Sequence, residues 1–387
     1  MLFKDSEKQS ELMLLLFKVR GANVEQLALG LYQKINKGNL TKTYDLLKKL
    51  ERKGFVQYTK YKTLNRIKRM YYLSKNALQY LYDSTNIEEG YRGSGFEGDF
   101  GFFKHSVYKP PSKNIEHHLM TVDCMIDLYV LMKQEPNKKI DFVHNLYIAK
   151  NELKPDFSFK KGEDTYYVEI DRGNERGISL NQKFERYYRY FKQTNQLAKC
   201  IYFVVPSSEK NTKSKFDAHH QLRFEKVKEA YKQSMQHYVY EIDLCFVSID
   251  EFLEVIRMDL KDEYIFSDDC KSIWHQYKLS STTKIWGLQN YNIIGFVNEH
   301  NKVEVILAEI NVRRTKIWND IIKLQEHYTV KQKTNEMLSM TVNTFAPKIV
   351  IYTSKENLKI DIQNQELQHV NYSTFTQKQL LIVERGT

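Results

Sequence analysis

Over the first eighty residues, apolar positions recur every three to four residues, the spacing of helices packed on one side. Leu12, Leu15, Leu16 and Val19 predict a helix over Ser10–Val19, stopped at Gly21, and a second runs over Val24–Tyr32. The Asn36–Asn39 turn separates these from a third helix over Leu40–Lys53, with Leu40, Tyr44, Leu47 and Leu50 on one stripe. Lys42, Thr43, Lys48, Lys49 and Arg52 occupy the rest of its circumference, and Gly54 ends it. Two β-prone runs follow, Phe55–Tyr58 and Met70–Leu73, joined by a loop carrying Lys60, Lys62, Arg66, Lys68 and Arg69.

Beyond residue 90 the pattern changes. Five of the fifteen glycines fall between Gly90 and Gly101, interleaved with Phe96, Phe100, Phe102 and Phe103, and Pro110-Pro111 closes the stretch. Such a segment marks a domain boundary, and its aromatics predict that it docks on a surface. A helix from Ile115 to about Met132 then places Ile115, Leu119, Val122, Ile126 and Tyr129 at helical spacing, with Glu116, Asp123 and Asp127 on another side. Strands are predicted at 140–143, 156–160, 165–171 and 199–205, with helices over about 180–197 and 216–237. That alternation describes an α/β unit with a central hairpin.

Charge sharpens the picture. The 387 residues carry a net charge of +11, 42% are hydrophobic and 13% aromatic, so the chain is no disordered polycation. Residues 1–80 hold 17 Lys/Arg against 6 Asp/Glu, which places the whole excess there. A compact basic unit with the order helix, helix, helix, basic hairpin reads as a winged helix-turn-helix, a polyanion-binding module. Thr41, Lys42, Thr43 and Lys48 are then the candidate major-groove contacts, and Lys60, Lys62, Arg66, Lys68 and Arg69 the phosphate contacts. A solvated charged face, or a winged helix used for protein contacts, is the competing reading. Residues 43–56 also resemble small bacterial winged-helix transcription regulators.

No stretch is long and apolar enough for a membrane span or signal peptide, which predicts a soluble, cytoplasmic protein without membrane partners. Cys124, Cys200, Cys245 and Cys270 lie far apart and read as ordinary buried thiols. The histidines show no metal-ligand spacing, and His117-His118 point to different helix sides. No P-loop and no nucleophile elbow is present.

The middle hairpin carries the candidate chemistry. With Gly162-Glu163 as a two-residue turn, Lys161 pairs with Asp164, Phe159 with Tyr166, Phe157 with Val168, Asp156 with Glu169, and Lys154 with Asp171. Two facing carboxylates repel unless a cation joins them, which is the arrangement of a Mg²⁺ or Mn²⁺ site that activates water on a phosphodiester. The alternative is a salt-bridge cluster neutralised by Lys154 and Arg172.

Lys154-Pro155-Asp156, twelve residues, then Glu169-Ile170-Asp171 resembles the PD-(D/E)xK nuclease superfamily. The wording Lys-Pro-Asp followed by Val168–Glu175, with the upstream His117-His118-Leu119 helix and the N-terminal winged helix, is similar to the replication-relaxation family of plasmids and integrative elements. The resemblance covers about residues 7–250. It implies Asp156 and Glu169 as metal ligands, the Ile170 carbonyl as a third donor and Glu116 as a fourth. The nuclease pattern wants Lys where this chain has Asp171; Lys154 or Lys183 would have to supply that cation, although a plain Lys154–Asp171 salt bridge is the simpler role. The candidate catalytic set is therefore Asp156, Glu169, Asp171 and Lys154.

Further on, 291–297, a polar turn, 303–311, a helix over 316–329 and 348–353 repeat the order strand, turn, strand, helix, strand. With His300-Asn301 as the turn, Glu309 faces Asn292, and Asn311 stands where the first copy has Asp171. This reads either as a degenerate nuclease-like domain or as a chance likeness of two hairpins. Trp286 and Trp318 read as core or interface residues.

The expected architecture is multidomain α/β: a winged helix at 1–84, a Gly/aromatic linker at 85–114, a PD-(D/E)xK-like domain at 115–258 and a C-terminal α/β domain at 259–387. The expected function is sequence-specific binding of double-stranded DNA in replication or relaxation of a plasmid or other mobile genetic element, with metal-dependent nicking by the middle domain left open. The alternative is a transcription or copy-number regulator, or an adaptor that recruits a relaxase or replication initiator; a homodimer is expected in either case.

Overall fold

The computed structural model describes residues 7–63, 66–111, 113–147, 153–173, 177–207, 213–260, 281–283, 293–297, 303–310, 313–315, 348–354, 371–375 and 378–383. The chain is mixed α/β and divides into two compact units, 1–176 with 186–207 and 248–257, and 177–185 with 208–247 and 258–387.

The first unit opens with α1 (Glu7–Val19), α2 (Val24–Tyr32) and α3 (Lys37–Arg52). α2 starts in a capping box: the Asn23 side chain accepts from the Gln26 amide while the Gln26 side chain accepts from the Asn23 amide. α3 begins three residues before its predicted start, because the Asn36 side chain accepts from the Asn39 amide and turns the expected loop into a first helical turn. Its buried stripe is Thr43, Leu47 and Leu50; Tyr44, assigned to that stripe by periodicity, is 43% exposed. The antiparallel hairpin of β1 (Val56–Lys62) and β2 (Ile67–Leu73) extends further than predicted, so Lys60, Lys62, Lys68 and Arg69 lie in strands and only Arg66 in the connection. An unpredicted helix, α4 (Lys75–Thr85), follows, capped by Ser74 and buried through Ala77, Leu78, Leu81 and Tyr82.

Residues 86–111 wrap back onto these helices. Phe17 of α1 packs edge-on to Phe100 at 5.0 Å and stacks on Tyr108 at 5.2 Å between ring centroids. The Tyr82 hydroxyl donates to the Phe103 carbonyl. A Cβ on Gly101 would lie 1.9 Å from the Arg92 carbonyl oxygen, so only glycine admits this close backbone approach. The expected boundary segment thus lies inside the first compact unit.

α5 (Ile115–Gln134) is buried on most of its circumference, as a helix covered on opposite sides must be. It packs on α2 and on β3 (Ile140–His144). The strands β4 (Phe157–Lys161), β5 (Asp164–Ile170) and β6 (Cys200–Val205) give the order β3-β4-β5-β6, with β5 antiparallel to β4 and parallel to β6. Lys161 pairs with Asp164 and Gly162 has φ +56°, which is the predicted two-residue turn and its register. α6 (Gly177–Thr194) starts three residues before its predicted position and crosses the division between the units.

In the second unit, α7 (Lys213–Met235) precedes β7 (Asp243–Ser248); α8 (Phe252–Asp259) runs on from the first unit. The later strands are β8 (Ser281–Thr283), β9 (Ile293–Val297), β10 (Val303–Ile310), β11 (Arg313–Arg314), β12 (Lys348–Ser354), β13 (Asn371–Phe375) and β14 (Lys378–Val383). β10 runs antiparallel to β9 and parallel to β12, with β8 outside β9, so the order and directions of β3 to β6 recur in β8, β9, β10 and β12. Ala308 pairs with Ile293, the register the hairpin reading required. The predicted helix at 316–329 and Trp286, Asn292, His300, Asn301, Asn311 and Trp318 lie outside the described residues. Cys124, Cys200 and Cys245 are buried, and Cys270 is likewise outside the described residues. Among the described residues no helix is long and apolar enough to cross a membrane.

Candidate functional site

Two groups of residues carry candidate chemistry, both in the first unit. The first is the outer surface of α3 and the hairpin. With Thr43, Leu47 and Leu50 turned inward, Thr41, Lys42, Lys48, Lys49 and Arg52 are exposed. Thr43 itself is fully buried and its hydroxyl donates to the Asn39 carbonyl at 2.8 Å, which removes it from the candidate groove contacts. On the hairpin, Lys60, Lys62, Arg66 and Arg69 are exposed, and the Arg69 guanidinium lies 4.3 Å from the centroid of Tyr58. Lys68 is engaged by Glu25 at 2.9 Å, and that hydrogen bond holds its pKa above the usual lysine value. Ile67, 72% exposed, sits among these cations at the end of the hairpin.

The second group surrounds Asp156. The regular ladder stops at Phe157, and the Asp156 amide donates to the Val168 carbonyl, the oxygen of the residue that faces Phe157. This shift turns Asp156 out of the strand alternation. Its Oδ2 accepts from the Ile170 amide at 2.8 Å and lies 3.3 Å from His117 Nε2 of α5. Glu169 remains in the ladder, 2% exposed, and its Oε1 accepts from the Tyr187 hydroxyl of α6 at 2.7 Å. Burial, then the Glu169 charge, pushes the Tyr187 pKa well above that of a free phenol; Asp156 adds to the same push, so both carboxylates bear on this hydroxyl.

The remaining predicted residues are dispersed. Asp171 is buried; its amide donates to the Val204 carbonyl and its Oδ1 accepts from the Gly173 amide at 2.9 Å. Lys154 lies beyond the end of the ladder and is exposed to solvent. Glu116 forms an ion pair with Arg172. Ile170 meets Asp156 through its amide, not its carbonyl. Mg²⁺ favours near-octahedral oxygen donors. Here Asp156 carries an amide donor and a histidine neighbour, Glu169 a tyrosine hydroxyl and Glu116 a guanidinium. Among the described residues no group of three or more His, Cys, Asp or Glu side chains is placed to hold a metal ion. As placed, these side chains do not fit the expected ion.

Asp156 also lines a cavity of about 290 Å³ walled by the end of α1, by Lys109, Pro111, Lys113 and Asn114, by the start of α5 and by the end of β3. Arg20, Lys109, Lys113, His117, His118 and His144 reach it. Burial takes the His118 pKa down to about 4, and its Nε2 lies 3.1 Å from the Gly21 carbonyl. Burial likewise holds the His144 pKa well below the usual range. The two neighbouring histidines of α5, read from the sequence as pointing to different helix sides, both line this cavity. Arg20, His144 and Tyr187 were not anticipated from the sequence. The only signal nearby was the pair of lysines flanking Pro110-Pro111, with nothing to connect them to Arg20.

Residues 14–202 match the model of the replication-relaxation family. No curated protein and no solved structure matches the chain.

Proposed function

Through residues 14–202 the chain belongs to the replication-relaxation family, and from that premise we propose that it binds double-stranded DNA sequence-specifically during replication or relaxation of a plasmid or other mobile element. In this reading α1 to α3 and the hairpin act as a winged helix. Thr41, Lys42 and Lys48 face the major groove, while Lys60, Lys62, Arg66 and Arg69 hold phosphates. The observation that carries it is the division of α3 into a buried Thr43/Leu47/Leu50 stripe and a cationic outer face continuous in sequence with a cationic hairpin. Lys68 contributes less, because Glu25 already neutralises it.

The sheet of β3 to β6 would be a nuclease-like scaffold that serves as a regulator or an adaptor for a relaxase or replication initiator, in keeping with carboxylates committed to Ile170, Tyr187 and Arg172. Titrating a labelled native-origin duplex at several salt concentrations tests the binding. A Lys42→Ala/Lys48→Ala/Lys60→Ala/Lys62→Ala variant should bind more weakly, and each phosphate that is no longer neutralised should flatten the log–log salt slope by about 0.9. An unchanged affinity and slope removes the winged helix from the reading. Supercoiled plasmid incubated with Mg²⁺, Mn²⁺ or EDTA should be bound and left uncut. Metal-dependent nicking that disappears in Asp156→Ala/Glu169→Ala would replace the adaptor with a nuclease.

A further inference from the structure

The cavity beside Asp156 has the electrostatics of an anion site. Arg20 is largely buried, and burial pulls its pKa below the usual guanidinium value. Its Nε donates to the Val107 carbonyl at 2.8 Å and its Nη1 to the Asn145 side chain at 3.3 Å, both uncharged acceptors. Burying a cation without a counter-charge is costly unless a partner arrives from outside. Lys109 and Lys113 add two exposed cations on the rim. Asp156 is the sole carboxylate among the lining residues, and it faces His117 at 3.3 Å.

A second, independent observation lies at His144, which also lines the cavity. His144 is 2% exposed, and its Nδ1 accepts from the Leu146 amide at 3.1 Å. The proton of the neutral ring therefore sits on Nε2, and that buried N–H has no hydrogen-bond partner. A buried donor left unsatisfied costs about 1–3 kcal/mol, and His144 is one of the residues that line the cavity. The first turn of α5 faces the same space, and its N-cap Asn114 makes no side-chain capping bond.

We propose that this cavity binds a phosphate monoester, held by Arg20, Lys109 and Lys113 and by the His144 Nε2–H. Three cations suit a dianion better than a carboxylate. About 290 Å³ lies just below the about 300–1,000 Å³ typical of small-molecule sites, a size suited to a phosphate with one nucleoside attached. The ligand is either a free nucleoside 5′-monophosphate or the 5′-phosphorylated end of a DNA strand. None of the lining residues lies on α3 or the hairpin, so the site stands or falls independently of the duplex-binding reading.

Calorimetric titration of the full-length protein with inorganic phosphate, adenosine 5′-monophosphate, adenosine, and a short single strand with and without a 5′-phosphate decides the matter. The phosphate-bearing ligands should bind and adenosine should not. The phosphorylated strand and the mononucleotide distinguish the two sources by which binds tighter. Arg20→Met should weaken binding at least tenfold and Lys109→Ala/Lys113→Ala severalfold, with the duplex salt slope unchanged. The double variant touches exposed side chains only, so it carries the test even where Arg20→Met fails to fold. Equal affinity for adenosine and its monophosphate, no binding of any phosphate ligand at millimolar concentration, or wild-type affinity in the double variant overturns the proposal.

Discussion

Asp127 on α5 sits where burial, reinforced by the Asp123 charge, pushes its carboxyl up to about 7 against the pull of Arg257. Its folded pKa is thus above its unfolded one, so its contribution to stability is fully present below about 4 and is lost as pH rises through about 7. At about 1.4 kcal/mol per pKa unit the effect reaches about 4 kcal/mol. His118 acts in the opposite sense: with a folded pKa depressed to about 4, its contribution is present above about 6.5 and is lost as pH falls through about 4. Asp127→Asn should therefore raise the melting temperature at pH 8 by several degrees, with the gain shrinking toward pH 4. In the variant, the loss of stability on acidification should be steeper than in the parent, as followed by circular dichroism. Single positions are also where the sequence is hardest to read. Periodicity places Tyr44 on the α3 stripe although Thr43 occupies it, because a threonine whose hydroxyl is satisfied by Asn39 four residues back is as easily buried as an apolar residue. The turn at Gly162 fixes the register correctly as far as Phe157, but the shift that turns Asp156 toward His117 and Ile170 leaves no trace in alternation.

Between elements, α2 approaches its neighbours closely. A Cβ on Gly30 would lie 2.6 Å from the Leu15 side chain and 3.3 Å from that of Ile126. Lys133 of α5 donates to the Gly30 carbonyl at 2.8 Å and pairs with Glu11 of α1. Burial alone would raise the Glu11 pKa, but Lys133 and Lys8 overcome it and hold the carboxylate below its usual range. Gln26, having capped α2, donates to the Leu119 carbonyl and to Asp123. Gly30→Val should cost about 1–3 kcal/mol by overpacking this contact, read as a lower urea midpoint with an unchanged slope. Element types and most boundaries are legible because turns and periods are local: Gly54 and Gly162 each announce themselves. α4 carries such signals too, with Ser74 as cap and Ala77, Leu78, Leu81 and Tyr82 at helical spacing, but the stronger hairpin pattern beside it masks the run. What no local signal gives is that α2 finds its cover on α5, ninety residues away.

At the scale of the molecule, that cover makes the basic helices and the first sheet one folding unit. Phe17 relies on Phe100 and Tyr108, and Gly30 on Ile126 and Tyr129. A fragment ending at residue 84 should show no cooperative thermal transition, whereas the full chain should; a fragment melting like an independent domain would contradict this shared core. The segregation of charge and the α/β alternation are legible from composition and period, and the aromatics of 96–103 do predict docking. The Gly-rich segment looks like a boundary because glycine punctuation is the same whether a chain leaves a domain or threads tightly through it.

Two residues beyond Arg20, Ala22 exchanges both backbone hydrogen bonds with Tyr71 of β2. The wall of the cavity at Arg20 and the hairpin are therefore joined through one short run of backbone, Arg20 to Ala22. Thermodynamic reciprocity then imposes an equality: whatever factor an occupant of the cavity applies to the affinity of the hairpin for its target, the target applies to the affinity for the occupant. One binding curve, measured at two concentrations of the other ligand, yields both.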